Sequence, residues 1–383
     1  MLKRRLFTPG PVPVPDRVRA AMAQPVINHR APDFLPVFRE CVTGLQRIFQ
    51  TEQPVLLFAA SGTGVMDAAI SNFLSPGDHA LVVRGGKFGE RWAEICDAYG
   101  VRNTCIDVEW GRAVDPAAVT AALEAHSDIK AVLLQGSETS TAVRHPVREV
   151  CQAVRASAGG ADKLVVVDAI TAVGVYDLPM DAWDLDVVLS GSQKAFMMPP
   201  GLAFMGVSER AQRFMKDAKC SHYYFDLEKE LAALPTDQTS WTPAVGLLFG
   251  LAEALKIILD EEGLEETWTR TEKLAHATRE SMRAIGLELL SPDAPSPACT
   301  AVKVPDGIDG PALRKALRDQ YGYTLADGQG RLKGKIFRVA HLGYFDRFDT
   351  IACIAAIEMA LASVGYVHKV GEATRTATEL LRD

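Results

Sequence analysis

Short apolar segments and amphipathic helical segments alternate along the first half of the chain, and this alternation constrains the fold most strongly. The apolar segments are four or five residues long and mostly rich in Val and Leu, as is typical of strands buried on both faces. Such strands separated by helices indicate a mostly parallel sheet with helices on either side. We predict strands at 55–58, 80–83, 104–108, 131–134, 164–167 and 186–189, joined by helices at 65–73, 88–99, 116–126 and 146–158.

The pattern changes on either side of this region. Prolines stiffen the N-terminal residues into an extended arm that we expect to lie on another surface, and helices at 16–23 and 33–49 follow. A helical stretch at 245–285, broken near Gly263, precedes strands at 299–304 and 335–339 and helices at 310–318 and 350–364. We therefore predict an arm at 1–20, a large domain at 21–258 and a small C-terminal α+β domain at 259–383.

Composition and charge limit the classes of protein to which this chain can belong. With 383 residues and 48% hydrophobic content, it is long enough for a large domain and a smaller one. A net charge of -7 lacks the basic footprint of a nucleic-acid-binding protein, and no apolar run approaches the roughly 20 residues of a membrane span. Seven scattered cysteines form no CxxC pair, and the N-terminal charges precede prolines rather than an apolar segment. We expect a cytoplasmic protein without a metal site, a nucleic-acid partner or a membrane partner.

A lysine follows the last strand of the series, within the sequence SGSQKA at 190–195. Small residues form this turn, so a bulky ligand could approach the backbone. Burial disfavours the charged form of an amine, and a neutral Lys194 could form a Schiff base with an aldehyde cofactor. Most lysines are solvated surface groups, so the position by itself leaves that alternative open.

Two other strand ends carry residues suited to the same ligand. Ser61, Gly62 and Thr63 open the helix after the first strand, where free N–H groups and the helix dipole favour a phosphate. Asp168 directly follows an apolar strand, and a buried carboxylate there would pair with a protonated pyridine nitrogen. Both features have a plainer explanation as helix N-caps. In an open α/β sheet, ligands bind at the carboxyl ends of strands, where all of these residues are expected.

Three further features complete a set of ligand-binding groups. Hydroxyl groups at 137–141 could bond a phenolate oxygen, and Phe88 could stack on a flat ring. Arg338 interrupts an apolar strand, and its planar guanidinium matches a carboxylate. Each feature has an alternative explanation: the hydroxyl groups could cap a turn, Phe88 could belong to the core, and Arg338 could form a structural ion pair. Together, these groups are the ones that would bind pyridoxal 5′-phosphate and an amino acid.

The motifs resemble those of the class V aminotransferases of fold type I, in particular the alanine–glyoxylate, serine–pyruvate and serine–glyoxylate group. The most specific segment is SGSQKA at 190–195, followed by PPG at 199–201. Supporting segments occur in the expected order at 8–11 (TPGP), 28–30 (NHR), 61–64 (SGTG), 138–141 (ETST) and 238–244 (QTSWTPA). The resemblance covers essentially the whole chain. It implies an α/β fold in which a large domain with a mostly parallel, seven-stranded sheet carries a smaller C-terminal α+β domain.

The resemblance also implies a role for individual residues. Lys194 would carry the cofactor and move a proton at the substrate's α-carbon, while Asp168 would keep the ring nitrogen protonated. Arg338 would bind the substrate carboxylate, Gly10 would border the substrate pocket, and Ser140 would lie near the ring oxygen and the substrate. The remaining cofactor contacts would come from Ser61, Gly62, Thr63, Phe88, Ile170, Gln193, Thr239 and Thr242. Thr242 would reach the phosphate of a neighbouring subunit, so the resemblance implies a homodimer with shared active sites.

The activity implied by the resemblance is a ping-pong transamination of alanine or serine with glyoxylate or pyruvate. Aminoethylphosphonate and ureidoglycine are alternative donors within the family. A lyase or desulfurase is a further alternative, but the stretch at 320–337 contains no cysteine nucleophile. The chain could also be a non-catalytic subunit of another complex, although Lys194, Asp168 and Arg338 together argue for an enzyme. Thr239 stands where some relatives have a tyrosine, so Ser240 could replace one phosphate contact.

Overall fold

The structure is a computed structural model that describes residues 2–382, and it contains two larger sheets. The apolar segments form strands because Val, Leu and Phe side chains can pack on both faces of a sheet. The strands, in chain order, are β1 (Arg5–Phe7), β2 (Val55–Phe58), β3 (His79–Arg84), β4 (Arg102–Asp107), β5 (Ile129–Gln135), β6 (Ser137–Glu138), β7 (Val143–Arg144), β8 (Leu164–Asp168), β9 (Val187–Gly191), β10 (Ala203–Val207), β11 (Cys299–Lys303), β12 (Tyr323–Asp327) and β13 (Ile336–Ala340).

Seven strands form the central sheet, in the order β2-β10-β9-β8-β5-β3-β4. Strand β10 runs antiparallel to β2 and β9, and the other neighbouring strands pair in parallel. The predicted fold class, with its mostly parallel seven-stranded sheet, is therefore confirmed. The sequence prediction did not include β10, although all of its residues are buried.

Alternate residues of the central strands pack into two separate cores. In β8, Val165 and Val167 belong to the core on one face of the sheet, while Leu164 and Val166 belong to the core on the other face. This burial on both faces explains why the strand sequence is continuously apolar. The apolar run ends at Asp168, the last residue of β8, which the strand carries to the carboxyl edge of the sheet.

Helices pack on both faces of the central sheet and on the smaller sheet. In chain order they are α1 (Asp16–Met22), α2 (Leu35–Phe49), α3 (Gly62–Phe73), α4 (Lys87–Ala98), α5 (Pro116–Ala125), α6 (Val147–Ala156), α7 (Glu209–Met215), α8 (Leu227–Ala233), α9 (Val245–Lys256), α10 (Leu264–Ala284), α11 (Gly310–Gln320), α12 (Arg347–Ser363) and α13 (Glu372–Leu381). Gly263, with a φ of +93°, separates α10 from a π-helical segment that follows α9, which explains the predicted break. Within residues 2–382, the helices lack the length and apolar character needed to span a membrane.

The smaller sheet has the order β1-β12-β13-β11 and lies mostly in the C-terminal part of the chain. Strand β1 pairs in parallel with β12, so that Arg5 lies opposite Tyr323 and Phe7 lies opposite Leu325. The N-terminal arm therefore supplies an edge strand to this sheet, which its extended sequence did not specify. The predicted domain boundaries after residues 20 and 258 stay predictions.

Candidate active site

A pocket opens at the carboxyl edge of the central sheet. The residues that line it are Ser61, Gly62, Thr63, Phe88, Arg91, Ser137, Thr139, Asp168, Ile170, Thr171, Gln193 and Lys194. The structure thus brings most of the predicted cofactor-binding residues together, and it adds Arg91 and Thr171, which the sequence analysis did not identify.

Lys194 lies in the turn after β9, with only part of its side chain exposed. Its Nζ atom donates a hydrogen bond of 2.7 Å to the backbone carbonyl of Pro9 in the N-terminal arm. Burial lowers the pKa of Lys194 to about 8, although Cys299 and Asp168 act in the opposite direction. An amine with this pKa has an appreciable neutral fraction near pH 7, which a nucleophile requires.

We expect the apoprotein to capture pyridoxal phosphate faster as the pH rises towards 8, because only the neutral amine of Lys194 can attack the aldehyde. With a pKa of about 8, the neutral fraction rises roughly tenfold per pH unit below that value and then levels off. For an ordinary lysine, with a pKa of about 10.4, the neutral fraction and the capture rate would keep rising up to that higher pH. Measuring the capture rate by stopped-flow absorbance between about pH 6 and pH 10 distinguishes a lowered pKa from an ordinary one. A capture rate that levels off only near pH 10 would contradict the lowered pKa.

Asp168 reaches the pocket at the end of β8, and its side chain is buried. Within residues 2–382, its carboxylate receives a hydrogen bond from the backbone N–H of Ile170, at 3.1 Å. Burial raises the pKa of Asp168 to about 6, because this bond does not replace the water that a carboxylate loses. In the described chain the next regular element after β8 is β9, so a helix N-cap does not explain the residue. A cationic N–H group in the pocket would stabilise its charge.

The start of α3 presents backbone N–H groups to the same pocket. Ser61 occupies the N-cap position, but its side chain makes no capping hydrogen bond, which leaves the first N–H groups of α3 available to a ligand. A Cβ atom at Gly62 would lie 2.4 Å from the side chain of Ile170, so glycine fits this wall closely. The N–H groups at the start of α3 are donors that suit a phosphate group. Gln193 lines the pocket as well, and within residues 2–382 its amide oxygen is buried without a hydrogen-bond partner.

A buried carboxylate holds the loop that carries Phe88. The Oε2 atom of Glu138 accepts hydrogen bonds from the backbone N–H groups of Phe88 (3.1 Å) and Gly89 (3.0 Å), in the first turn of α4. Ser140 donates to Oε1 of Glu138 at 2.5 Å and accepts from the N–H of Lys87 at 2.9 Å. Burial raises the pKa of Glu138 to about 7, although its hydrogen bonds act in the opposite direction. The network fixes the ring of Phe88 on the pocket wall.

Ser140 is not among the residues that line the pocket, and its hydroxyl donates to Glu138 and accepts from the N–H of Lys87. Its predicted contact with the ring oxygen and the substrate stays a prediction. Thr139, the preceding residue, lines the pocket instead, and its Oγ1 atom lies 2.6 Å from Oγ1 of Thr171. The motif located the segment correctly, but the direction of each side chain depends on the short strands and turn that the segment forms.

Arg338 is buried on β13, next to the pocket. Its Nη1 atom donates to the carbonyl of Thr139 at 2.8 Å, and its Nε and Nη2 atoms donate to the carbonyl of Asp327 at 3.0 and 2.7 Å. Burial lowers the pKa of Arg338, although Cys299, Glu138 and Asp327 act in the opposite direction, and within residues 2–382 its guanidinium forms no ion pair at contact distance. A guanidinium has five N–H groups, so one remains on each terminal nitrogen. Two such donors are what a bidentate contact with a carboxylate requires.

Gly10 lies directly against the amine of Lys194. Its φ is +131°, and a Cβ atom at this position would lie 2.1 Å from Nζ of Lys194. A larger residue would therefore displace the amine. The arm therefore lies against Lys194, and the predicted place of Gly10 at the substrate pocket stays a prediction.

Thr239 and Thr242 lie away from the pocket of their own chain. They line a separate cavity together with Tyr224 and Trp241, and Oγ1 of Thr239 donates to the carbonyl of Trp241 at 2.6 Å. The hydroxyl of Ser240 is buried and has no hydrogen-bond partner in the described part of the chain. The predicted contacts of this segment with the phosphate of a neighbouring subunit stay predictions.

The donor set of the pocket fits pyridoxal 5′-phosphate. The first N–H groups of α3 would hold the phosphate, and Asp168 would meet the ring nitrogen that its buried charge requires. Phe88 offers a face for the ring, and Lys194 offers an amine with a lowered pKa for the aldehyde. Together these groups would hold the phosphate, the ring and the aldehyde of the cofactor.

Comparison with known proteins agrees with this fit. A sequence model of the family described as "Aminotransferase class-V" matches residues 18–332. A serine–glyoxylate aminotransferase of Methylorubrum extorquens is 33% identical over 391 residues, which cover 100% of this chain and 96% of that protein. A "Soluble hydrogenase, small subunit" of Synechococcus sp. is 41% identical over 369 residues, covering 96% and 95% of the two chains.

A solved structure gives the same result for the fold. The pyridoxamine–pyruvate aminotransferase of Mesorhizobium loti superposes with a TM-score of 0.94 at 28% identity, and the match covers 100% of this chain and 98% of that one. The likeness extends over both sheets and the arm, because almost no residue of either chain lies outside it.

Proposed function

The chain belongs to the class-V aminotransferases and is a pyridoxal-phosphate-dependent transaminase, and we propose that it transfers the amino group of alanine or serine to glyoxylate or pyruvate. One observation carries the proposal: Lys194, with a lowered pKa, and the buried Asp168 line one pocket, and Arg338 bonds the carbonyl of Thr139 on its wall with N–H groups to spare. Gly10 and the carbonyl of Pro9 contact the amine of Lys194, so the space beside it suits a small donor.

We assign a role to each side chain in this proposal. Pyridoxal phosphate, held by the start of α3, Asp168 and Lys194, would supply an aldehyde for the donor's amino group and a sink for the charge that develops at the donor's α-carbon. Lys194 removes the proton from the α-carbon and returns a proton in the second half-reaction, when the amino group passes to the acceptor. Arg338 holds the carboxylate of donor and acceptor in turn, and Asp168 keeps the ring nitrogen protonated. The donor leaves as a 2-oxo acid, and the acceptor leaves as an amino acid.

A second copy of the chain completes the site in this proposal. Thr242 and Thr239 lie away from their own pocket, on a segment flanked by the exposed side chain of Tyr223, which stacks on Trp241 at a centroid distance of 5.4 Å. An exposed aromatic surface of this kind suits burial in an interface. The homodimer would place this segment near the phosphate of its neighbour. The seven free cysteines suit a reducing compartment, and we assign the enzyme to the cytoplasm.

A panel of donors tests the proposed substrate class. We expect alanine and serine to react with glyoxylate and with pyruvate. Aminoethylphosphonate has no carboxylate for Arg338 and should react at least about tenfold more slowly. Ureidoglycine has a carboxylate, but its ureido group is larger than the side chains of alanine and serine and should fit less well beside Lys194 and Gly10. Ethylamine and ethanolamine lack the carboxylate of alanine and serine and serve as matched controls. They are expected to give no measurable turnover, because Arg338 cannot hold them. Product 2-oxo acids and amino acids are measured by chromatography.

The same panel separates the alternatives. If the enzyme released sulfide from cysteine without consuming a 2-oxo acid, its activity would be that of a desulfurase and the proposed transamination would be wrong. The hydrogenase name of the Synechococcus relative suggests a non-catalytic subunit as the second candidate. That candidate would be favoured by a protein that takes up no pyridoxal phosphate and turns over none of the donors. A fast reaction with aminoethylphosphonate or ureidoglycine alone would move the donor assignment to that substrate.

A further inference from the structure

Arg91 connects two walls of the pocket. It lies one turn into α4, on the same face of the helix as Phe88, and it lines the pocket. Its Nη1 atom donates to the Oγ1 atom of Thr63, at 2.9 Å, and its guanidinium carbon lies 5.0 Å from the centroid of the Phe88 ring. The side chain therefore links the start of α3 to the ring on α4.

The charge of Arg91 lacks a counterion among the residues that the structure describes. Within residues 2–382, the structure pairs it with the hydroxyl of Thr63 and the ring of Phe88, and with no carboxylate. Its charge acts on the pocket, because it lowers the pKa of both Asp168 and Lys194 as a minor contribution. A cation left unpaired beside free N–H donors indicates that this end of the pocket receives an anion.

The hydrogen bond from Arg91 to Thr63 also determines where the hydroxyl proton of Thr63 can point. A hydroxyl group has one proton to donate and two lone pairs to accept with. Because Oγ1 of Thr63 accepts from Arg91, the hydroxyl proton of Thr63 can point towards a group bound at the neighbouring start of α3. Without Arg91, the hydroxyl could turn and accept from an N–H group or from water.

We propose that Arg91 is a positioning residue for the cofactor's phosphate: it orients the hydroxyl of Thr63 towards that group and adds an unpaired positive charge beside it. The inference rests on the proposed function in taking this pocket as the seat of pyridoxal phosphate. It concerns binding of the cofactor and is independent of which donor the enzyme uses.

The test compares two ligands that differ only in the phosphate. Apoprotein is titrated with pyridoxal phosphate and with pyridoxal, and covalent capture is followed by absorbance. Arg91→Met keeps the apolar stem over Phe88 but removes the charge and the donors. It is expected to weaken binding of pyridoxal phosphate by roughly tenfold or more and binding of pyridoxal by less than about twofold. Thr63→Val should cause part of the same loss of affinity for pyridoxal phosphate. The double variant should lose less affinity than the product of the two single fold-losses, because the two side chains act through one hydrogen bond.

Two further variants complete the experiment. Arg91→Lys keeps the charge and should recover part of the selectivity for pyridoxal phosphate. Arg47→Met removes an exposed helical arginine far from the pocket, which pairs with Asp260, and should change neither affinity. If Arg91→Met lost the same affinity for pyridoxal as for pyridoxal phosphate, the proposal would be overturned, because Arg91 would then act only by holding the ring of Phe88 in place. Unchanged cofactor affinity with an altered KM for donors would also overturn it, and would assign Arg91 to the substrate.

The outcomes also separate this inference from the proposed function. Wild-type protein that captures neither ligand would overturn both. Wild-type protein that captures both ligands, with a preference for pyridoxal phosphate that Arg91→Met leaves intact, would overturn the role of Arg91 and leave transamination standing.

Discussion

Replacing Lys194 with alanine is expected to abolish covalent capture of pyridoxal phosphate and to lower kcat for transamination by at least about 10³-fold. Two functions are lost together, because the amine both attaches the cofactor and moves the proton at the donor's α-carbon. General acid–base catalysis alone contributes roughly 10²- to 10⁴-fold. The measurement is kcat with alanine and glyoxylate, together with the absorbance of the bound cofactor. Borohydride reduction followed by peptide mass analysis should find the modification on Lys194 in the wild type.

Lys163 offers a matched control, because burial also lowers the pKa of this lysine. Its Nζ atom donates to the carbonyls of Ser127 and Ile129, away from the pocket. Lys163→Met should cost stability but leave cofactor capture and kcat of the folded protein near the wild-type values. This comparison separates the effect of a buried lysine from the effect of its place at the carboxyl edge of the sheet. A Lys194→Ala enzyme with kcat within tenfold of the wild type would contradict the assignment.

The sequence predicted the carboxyl edge of the sheet well because the signals there are local. Apolar strands end at recognisable residues, and in a parallel sheet those ends meet on one side. The structure accordingly brings Ser61, Asp168 and Lys194, which are far apart in the chain, into one pocket. The central fold was predicted for the same reason, since period-2 burial on both faces produces continuous apolar runs.

The features that could not be predicted depend on side-chain direction or on distant pairing. Ser140 and Thr139 are adjacent hydroxyl residues, and only the geometry of the turn decides that Thr139 faces the pocket. The arm residues at β1 pair with β12, more than 300 residues away, and no local pattern encodes that contact. Arg91 could have been found, because it follows Phe88 by three residues and therefore shares its helical face.

Replacing Asp168 with asparagine is expected to lower kcat by roughly 10²- to 10³-fold while leaving covalent capture by Lys194 in place. Removing one partner of a buried charged pair costs about 3–5 kcal/mol, and about 1.4 kcal/mol corresponds to a factor of ten in rate. Asparagine can still accept the N–H of Ile170, so the turn after β8 should be preserved. It carries no negative charge, however, and cannot keep the ring nitrogen protonated. Steady-state kinetics and cofactor absorbance of the variant measure the two effects separately.

The pH dependence of stability shows whether the Asp168→Asn variant is still correctly folded. Because the folded protein raises the pKa of Asp168 from 3.8 to about 6, the carboxylate lowers the stability of the apoprotein progressively as the pH rises from about 4 to about 6. The asparagine side chain does not titrate, so Asp168→Asn apoprotein should be at least as stable as the wild type above that range. Asp186, a buried aspartate that pairs with Arg155 and Arg210 just before β9, gives the opposite control. Asp186→Asn should lower the stability of the protein but leave the kcat of the folded fraction unchanged. An Asp168→Asn enzyme with a kcat within tenfold of the wild-type value would show that the charge of Asp168 is not needed for the reaction.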